Sequence, residues 1–206
     1  MATMRTRLAW ATFTLLTLMM PALHAQVRPA PAPADGSEDE RLRRILLAVA
    51  AQPMSGTPFV ERRTSPLYAS PLELRGTLSF KPPGTIEKRT TSPIREVLTI
   101  TSETLTIDAG NGAPPTIVKM DTQGQLSGYV LGLRAVLTGD DKLLRQAFDT
   151  RLSGSFEAWK LLLLPRGAQP RRGIRQILVS GVGAQLRQID TTEINGDLIE
   201  MAIPPR

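Results

Sequence analysis

Apolar and polar side chains alternate along most of this chain after residue 59, and this period of two restricts the fold more than any other feature. In one segment Leu78 and Phe80 alternate with Ser79 and Lys81. Because successive side chains of a strand point to opposite faces, such a segment has one apolar and one polar face. The pattern predicts an antiparallel meander with one buried face.

Turn-forming residues divide the alternating region into two groups of short strands. The predicted strands of the first group cover residues 59–63, 74–80, 86–90, 98–100, 105–107 and 116–120. Those of the second group cover residues 152–157, 159–164, 174–180, 186–190 and a final hairpin. In that hairpin, Asn195-Gly196 predicts a two-residue turn of type I′.

Helical periodicity appears before the first group and between the two groups. Apolar residues at three- and four-residue spacing predict a first helix ending near Gln52, with Asp35 or Ser37 as its N-cap. A middle helix and a second short helix, with Asp140 at its cap, follow the first group of strands. The apolar positions of these three helices are Leu42, Ile45, Leu46, Val49; Leu126, Tyr129, Val130, Leu133, Leu137; and Leu143, Leu144, Ala147, Phe148.

These elements predict an α+β fold, with helices laid on one curved antiparallel sheet. The N-terminal region is predicted to be separate from it. Arg5 and Arg7 precede a 13-residue apolar run that ends at Met20, and Ala25 offers a cleavage site. We therefore expect a signal peptide at residues 1–25, a Pro/Ala-rich linker at 26–37 and a single domain at 38–206.

The residue inventory argues against catalysis. The chain has no cysteine, and its one histidine, His24, lies in the predicted signal peptide. The commonest general base, thiol nucleophile and zinc ligands are therefore missing from the expected mature chain. We expect no enzyme, no catalytic residue, no metal and no cofactor. The basic residues are scattered without interleaved aromatic side chains, so no nucleic-acid partner is expected either.

Three short motifs have simple structural interpretations. Asp140-Asp141 is adjacent to Lys142 and is interpreted as a helix start rather than a metal or acid–base site. Thr85 and Lys88 lie three residues apart, which places them on opposite faces of a strand and argues against a hydroxyl–lysine dyad. The segment "GVGAQL" at 181–186 precedes a strand and is interpreted as a turn.

The apolar face of the predicted sheet is the remaining candidate site. One interpretation is a core filled beneath the helices; the other is an incompletely filled cavity for an acyl chain or a similar ligand, and periodicity alone leaves both open. The residues predicted to line such a cavity, from strands and the middle helix, are Leu78, Phe80, Leu98, Ile100, Leu105, Ile107, Val130, Leu133, Trp159, Leu161, Leu163, Ile177 and Val179.

The order of segments resembles that of LolA-like proteins, the periplasmic carriers of outer-membrane lipoproteins. "FVERR" is similar to the family's opening strand, and "LRGTLSFKPPGTIEKRT" matches its pattern of glycine, apolar strand, basic residue, proline and return strand. "SPIREVLTITSETLTID" and "FEAWKLLLLP" look like later strands of the family, as does the segment from residue 174 onward. The resemblance extends from about residue 38 to residue 203.

This resemblance implies an open, unclosed β-barrel covered by a helical lid, with an apolar cavity between them. It implies a periplasmic, cofactor-free carrier in which an acylated lipoprotein or other lipid ligand passes from an inner-membrane donor to an outer-membrane acceptor. We also expect a monomer. A non-carrier module that binds an envelope protein through the sheet or lid is the alternative.

The chain departs from the family at the rim of the barrel. Lys81 keeps the first basic position, but Pro82 stands where the family has an arginine that helps to hold the lid. The resemblance therefore assigns Lys81 and Pro82 to the rim without carrying over the family's lid switch. Lys81 and the charged return strand at 85–90 are expected to face water or the edge of the lid.

Overall fold

The computed structural model describes residues 36–67, 69–81, 84–119, 128–167 and 173–205. The predicted signal peptide, nearly all of the predicted linker, Leu126 and Pro82 lie outside these residues. The described part contains three helices, at Glu38–Ala50 (α1), Gly128–Thr138 (α2) and Asp141–Ala147 (α3).

Eleven strands make up one antiparallel sheet. The first group comprises Met54–Thr64 (β1), Leu72–Lys81 (β2), Thr85–Ser92 (β3), Glu96–Ile100 (β4), Thr104–Asp108 (β5) and Thr116–Lys119 (β6). The second group comprises Phe148–Ser155 (β7), Ala158–Pro165 (β8), Ile174–Val182 (β9), Gln185–Glu193 (β10) and Leu198–Ala202 (β11). The predicted α+β class with an open, curved antiparallel sheet is confirmed.

The strand order is β6-β5-β4-β3-β2-β1-β11-β10-β9-β8-β7, so the sheet begins and ends at strands that are not paired with each other. Along the chain, β1 to β6 step outward from the centre to one edge. The segment containing α2 and α3 then leads to the opposite edge, and β7 to β11 step back until β11 pairs with β1. Each half is therefore a simple meander of neighbouring strands.

The first helix begins where the sequence places a cap. Ser37 accepts a hydrogen bond from the Glu40 amide, while the Glu40 carboxylate accepts one from the Ser37 amide. This reciprocal capping box satisfies two amides that the helix cannot pair internally. The helix ends at Ala50, two residues before the predicted end, and buries Leu42, Ile45, Leu46 and Val49.

The first turn of α1 also protects the edge strand β7. Glu38 accepts a hydrogen bond from the Leu152 amide at 2.7 Å, and the Arg41 guanidinium donates to the Gly154 carbonyl at 3.4 Å. These side chains satisfy outward-facing backbone groups of β7. The edge is thereby made less available for pairing with another strand.

The short helix α3 begins at the predicted cap. The Asp140 carboxylate accepts a hydrogen bond from the Leu143 amide at 2.8 Å, which confirms its interpretation as a helix start. The predicted position of Phe148 in this helix is wrong, because Phe148 has extended backbone angles and begins β7. Its side chain is nonetheless buried, since the first residue of β7 points into the core.

The turn between β10 and β11 differs from the predicted type I′ turn. Glu193 donates its amide to the Asp197 carbonyl, which leaves three residues in the loop instead of two. Only Gly196 has a positive φ there, at 94°, and the Asn195 side chain accepts a hydrogen bond from the Asp197 amide. The asparagine thus stabilises the turn through its side chain rather than through a left-handed backbone.

Candidate functional site

The thirteen residues predicted to line a cavity belong to one hydrophobic cluster between the sheet and the helices. Eleven of them are buried, and Leu98 and Ile107 are partly buried against the others. The structure therefore brings these side chains together on one face, as the alternation predicts. Their role in binding a ligand remains a prediction.

Cross-strand rows show how the first half of the sheet builds this face. Register pairs Phe80 with Ile86, Ile86 with Ile100 and Ile100 with Leu105, and Leu105 in turn pairs with Val118. Directly opposite side chains on one face pack together and stabilise the pairing. This row makes a continuous apolar strip from β2 to the edge strand β6.

The second half of the sheet has an equivalent strip. Met201 pairs with Ile189, Ile189 with Val179 and Val179 with Leu161, which pairs with Leu152 on β7. All five side chains are buried. At its inner end this row continues onto β1, where Met201 lies opposite Glu61.

A charged pair interrupts the apolar face at that point. The Lys88 ammonium lies 2.5 Å from the Glu61 carboxylate, and both side chains are almost fully buried, at 3% and 0% exposure. Arg63, at 35% exposure, donates a second hydrogen bond to Glu61 at 2.7 Å. Charges this deeply buried require such partners, because each loses its hydration.

The Glu61–Lys88 pair lies beside a glycine on β2 and two aromatic rings. Gly76 on β2 lies between β1 and β3, opposite Phe59 and Thr90. Phe59 Cζ would lie 2.9 Å from a Cβ at Gly76, so the ring covers the glycine. The Lys88 ammonium lies 5.3 Å from the Phe59 ring centre and 5.8 Å from that of Tyr129 on α2, within the range of cation–π attraction.

Burial changes the titration of two groups in this cluster. Desolvation lowers the pKa of Lys88, although the Glu61 charge and hydrogen bond oppose that shift. Desolvation also raises the pKa of Tyr129, with the charge of Glu61 acting in the same direction. The Tyr129 hydroxyl is buried without a hydrogen-bond partner among the described residues. The charged cluster thus places the paired Lys88 ammonium near a Tyr129 hydroxyl on α2 that has no hydrogen-bond partner among the described residues.

The expectation that the return strand exposes its charges is wrong for Lys88. Lys88 shares the face of Ile86, whereas Glu87 and Arg89 on the other face are more exposed and pair with each other at 3.0 Å. Position parity could have revealed this, because Lys88 follows Ile86 by two residues and Glu61 follows Phe59 by two. Lys81 is exposed at the end of β2, and its place at the rim stays a prediction. Pro82 lies outside the described residues.

The helix α2 packs closely against the second half of the sheet. A Cβ added at Gly132 would lie 2.8 Å from Ile177 Cδ1 and 3.4 Å from Leu163 Cδ1. A side chain at this position would therefore press on β8 and β9. Glycine allows the helix backbone to approach these strands.

Another side of α2 borders open space. Two adjoining clefts, of about 480 and 530 Å³, lie between the helices and the ends of β3, β4 and β5. Both are lined by Ser102 and Arg134, and the larger one is also lined by Leu131 and Leu143. Since Leu131 and Leu143 also pack against the hydrophobic cluster, the larger cleft borders the core.

Within the described part of the chain, no group of three or more histidine, cysteine, aspartate or glutamate side chains is placed to hold a metal ion. None of the helices described is long and apolar enough to cross a membrane. The polar side chains at the site are thus those of the charged cluster and of the clefts beside α2.

An open antiparallel sheet whose apolar face is covered by helices is the architecture of a lid-covered binding protein. The family model described as "Outer membrane lipoprotein carrier protein LolA-like" matches residues 33–203. The chain therefore belongs to the LolA-like family. This family is periplasmic, and its members are generally carrier or binding proteins rather than enzymes.

Comparison with curated proteins gives no match. Among solved structures, the LolA superfamily protein NE2245 from Nitrosomonas europaea is 8% identical, with a TM-score of 0.42, and the match covers 80% of this chain and 92% of that one. The structure of the Pseudomonas aeruginosa MucA/MucB complex matches at 13% identity and a TM-score of 0.41. That match covers 80% of this chain and 54% of the other.

Proposed function

We propose that this chain is a periplasmic carrier that binds the acyl chains of a lipoprotein or another lipidated ligand and conveys it toward the outer membrane. Residues 1–25 act in this proposal as the export signal, and residues 38–206 form a single ligand-binding domain. An inner-membrane donor and an outer-membrane acceptor are its expected partners. Membership of the LolA-like family supports this assignment.

The observation that carries the proposal is the position of the larger cleft against the hydrophobic cluster. Leu131 and Leu143 line the cleft and also contact the cluster, which includes Ile100 and Leu105 of the first half of the sheet. An acyl chain entering between α2 and β5 would meet apolar side chains at once. Each buried methylene group contributes about 0.8 kcal/mol, so a chain of ten or more carbons can be held without catalytic or charged groups.

The side chains of the cluster are buried in the described conformation, so we expect α2 to move away from the first half of the sheet when a ligand binds. The clefts on that side favour such a movement, because fewer packed contacts need to be broken there. The close approach of Gly132 to Ile177 would keep the helix attached to the second half. Ligand binding would thus widen an existing opening rather than separate the whole lid.

The family's gating arginine has no counterpart in this proposal. Lys81 is exposed at the rim, and the sequence has proline at position 82. We therefore propose that Lys81 and Pro82 shape the rim and leave the movement of α2 to packing contacts.

The test is native mass spectrometry of the full chain purified from a bacterial periplasm, followed by titration with a diacylated lipopeptide. We expect co-purified lipid and saturable lipopeptide binding. Leu131→Glu should weaken binding at least tenfold, because it places a carboxylate beside the apolar cluster. Leu67→Glu is the matched control, since Leu67 is 89% exposed and lies outside both clefts.

An empty protein that takes up no lipopeptide would overturn the proposal. Cross-linking in cells distinguishes the alternative function. A single envelope protein captured without lipid, and unaffected by Leu131→Glu, would identify an interaction module instead of a carrier.

A further inference from the structure

One arginine stands at the meeting point of the two clefts. Arg134 on α2 lines both of them and lies on the same side of the helix as Leu131 and Thr138, which are three residues before it and four after it. The residue is neither buried nor fully exposed. Its position therefore offers a positive charge at the mouth of the space that leads to the hydrophobic cluster.

The guanidinium of Arg134 makes no ion pair and donates no hydrogen bond within the described part of the chain. The contrast with Arg145 on α3 is informative, since Arg145 pairs with Asp39 at 3.0 Å and with Asp141 at 2.8 Å. A guanidinium offers five donors in a planar arrangement that matches carboxylate and phosphate oxygens. Arg134 thus keeps this binding capacity available inside a cleft.

The other charged groups of the clefts leave that capacity in place. Asp140 lines the smaller cleft, but its carboxylate accepts the hydrogen bond that caps α3. Glu103 and Lys119 line the larger cleft, and the Glu103 carboxylate forms no ion pair with Arg134 within 4.0 Å. Across the cleft, Ser102 offers a hydroxyl that can donate to a second oxygen of the same anion.

We propose that Arg134 and Ser102 bind the phosphate of an anionic amphiphile whose acyl chain enters beneath α2. This inference rests on the proposed carrier function and specifies the class of ligand: a lipid with a phosphate-bearing head group. The polar contacts are provided by the cleft, and the chain is accommodated by the cluster beside Leu131. A cleft volume of about 480 to 530 Å³ is within the range of sites for small organic ligands.

Lys88 and Arg134 have different roles in this proposal. Lys88 is deep in the core and is already paired with Glu61. Arg134 is at the mouth and has no anionic partner among the residues that the structure describes. An incoming phosphate therefore meets Arg134 without having to break the buried pair. The phosphate head group stays near water, while the acyl chain is buried away from water.

The experiment measures the affinity of the full chain for lysophosphatidylglycerol and for a monoacylglycerol of the same acyl length. Isothermal titration below the critical micelle concentration of each probe gives both constants. We expect the wild-type protein to bind the phosphate-bearing probe about tenfold more tightly, as charge-assisted bonds to an arginine allow. Arg134→Gln should remove this preference and leave the affinity for monoacylglycerol within twofold.

Arg62→Gln is the matched control, because Arg62 is exposed on β1 and lines neither cleft. It should keep the tenfold preference. Ser102→Ala should reduce the preference by a smaller factor, about threefold, through loss of one donor. Circular dichroism and the melting temperature establish that each variant is folded.

The outcomes separate the two proposals. If both probes bind equally and Arg134→Gln changes neither, the head-group site is overturned while the carrier function stands. If neither probe binds, the carrier function itself fails. Inorganic phosphate distinguishes the sources of the anion: weak competition against lysophosphatidylglycerol supports a lipid site, whereas phosphate binding as tight as the lipid would overturn recognition of an amphiphile.

Discussion

The two halves of the sheet cover their inner faces in different ways. The half from β7 to β11 is almost entirely apolar there, and α2 approaches it so closely that a Cβ at Gly132 would lie 2.8 Å from Ile177 Cδ1. The half from β1 to β6 contains the buried Glu61–Lys88 pair and borders two clefts beside α2. This difference supports the proposal that the second half holds α2 in place while the first half allows it to move.

Both halves contain an aromatic ring packed over a glycine, but the surroundings of the two rings differ. In each half an aromatic ring covers a glycine on a neighbouring strand: Phe59 covers Gly76, and Trp159 covers Gly181. The Trp159 indole donates a hydrogen bond to the Gly183 carbonyl at 2.9 Å, which fixes the ring. The Phe59 ring has no such donor and instead faces the Lys88 ammonium. The same packing thus accompanies an apolar strip in one half and a buried charge in the other.

The largest expected effect comes from removing one partner of the buried charge pair. Glu61→Leu should lower the free energy of unfolding by about 3 to 5 kcal/mol, because Lys88 would keep its buried position without an acceptor. Replacing both residues, with Glu61→Leu and Lys88→Met, should cost much less than the two single changes added together. Urea denaturation of the four proteins measures this coupling.

Its control is the exposed pair on the opposite face of the same strand. Glu87→Gln should change the free energy of unfolding by less than about 1 kcal/mol, because Glu87 and Arg89 are hydrated. Equal costs for Glu61→Leu and Glu87→Gln would contradict the distinction between a buried and a surface pair.

The next largest effects should come from truncating one apolar side chain on the inner face of each half. Leu161→Ala on β8 should destabilise the protein by about 3 kcal/mol, because Leu161 is fully buried in the hydrophobic cluster and its loss leaves a cavity. Leu98→Ala on β4 should cost about 1 to 2 kcal/mol, because Leu98 is only partly buried. Thermal and urea unfolding measure both. A larger loss of stability for Leu98→Ala than for Leu161→Ala would contradict the proposal that the second half holds α2.

A glycine substitution tests the close packing of α2 with a smaller effect. Gly132→Ala should lower stability by about 1 kcal/mol, because overpacking against Ile177 outweighs the better helix propensity of alanine. Gly84→Ala is the comparison in the other half, where the added Cβ would lie 3.7 Å from Thr138 Cγ2. That substitution should change stability by less than about 0.5 kcal/mol. If Gly132→Ala were stabilising, the helix would be less tightly held than the structure indicates.

The pH dependence of stability should also report the burial of the charged cluster. Burial lowers the pKa of Lys88 below 10.5, so the unfolded chain binds more protons than the folded chain as pH rises toward that value. Stability should therefore increase with pH in this window, by at most about 1.4 kcal/mol per pH unit. Lys88→Met should lack this increase when melting temperatures are compared between pH 8 and pH 10.

Titration of Tyr129 should change stability in the opposite direction, at higher pH. Burial raises its pKa above the ordinary value of 10.0, so the unfolded chain loses the phenolic proton first and stability falls above that pH. Tyr129→Phe should remove this decrease in stability without changing the increase at lower pH that depends on Lys88. A wild-type curve that coincides with both variants from pH 8 to pH 11 would contradict burial of the cluster.

Much of this fold could be predicted because alternation records which face each strand buries. The apolar positions of both halves follow that rule, and so does the cap at Ser37. The charged pair could not be predicted in the same way. Lys and Glu are rarely buried, and only the register across β2 brings Glu61 near Lys88 over a glycine. Parity indicates the face of each residue but not its partner.

The clefts lay beyond prediction for a related reason. Sequence periodicity identifies Leu131 as part of a helix, but the gap beside it depends on how α2 is placed over the sheet. That placement is determined by contacts such as Gly132 against Ile177, which join residues far apart in the chain. The turn at Asn195 likewise depended on a side-chain hydrogen bond instead of the dipeptide alone.

The proposed carrier function requires that an acyl chain enters between α2 and the first half of the sheet. The most direct measurement is paramagnetic broadening of methyl signals by a monoacylglycerol that carries a nitroxide on its chain. The account predicts strong broadening at Leu131, Ile100 and Leu105, with weaker effects at Leu152 on the far edge of the second half. Broadening confined to outward-facing methyl groups such as Ile117 and Val182, or none at all, would contradict it.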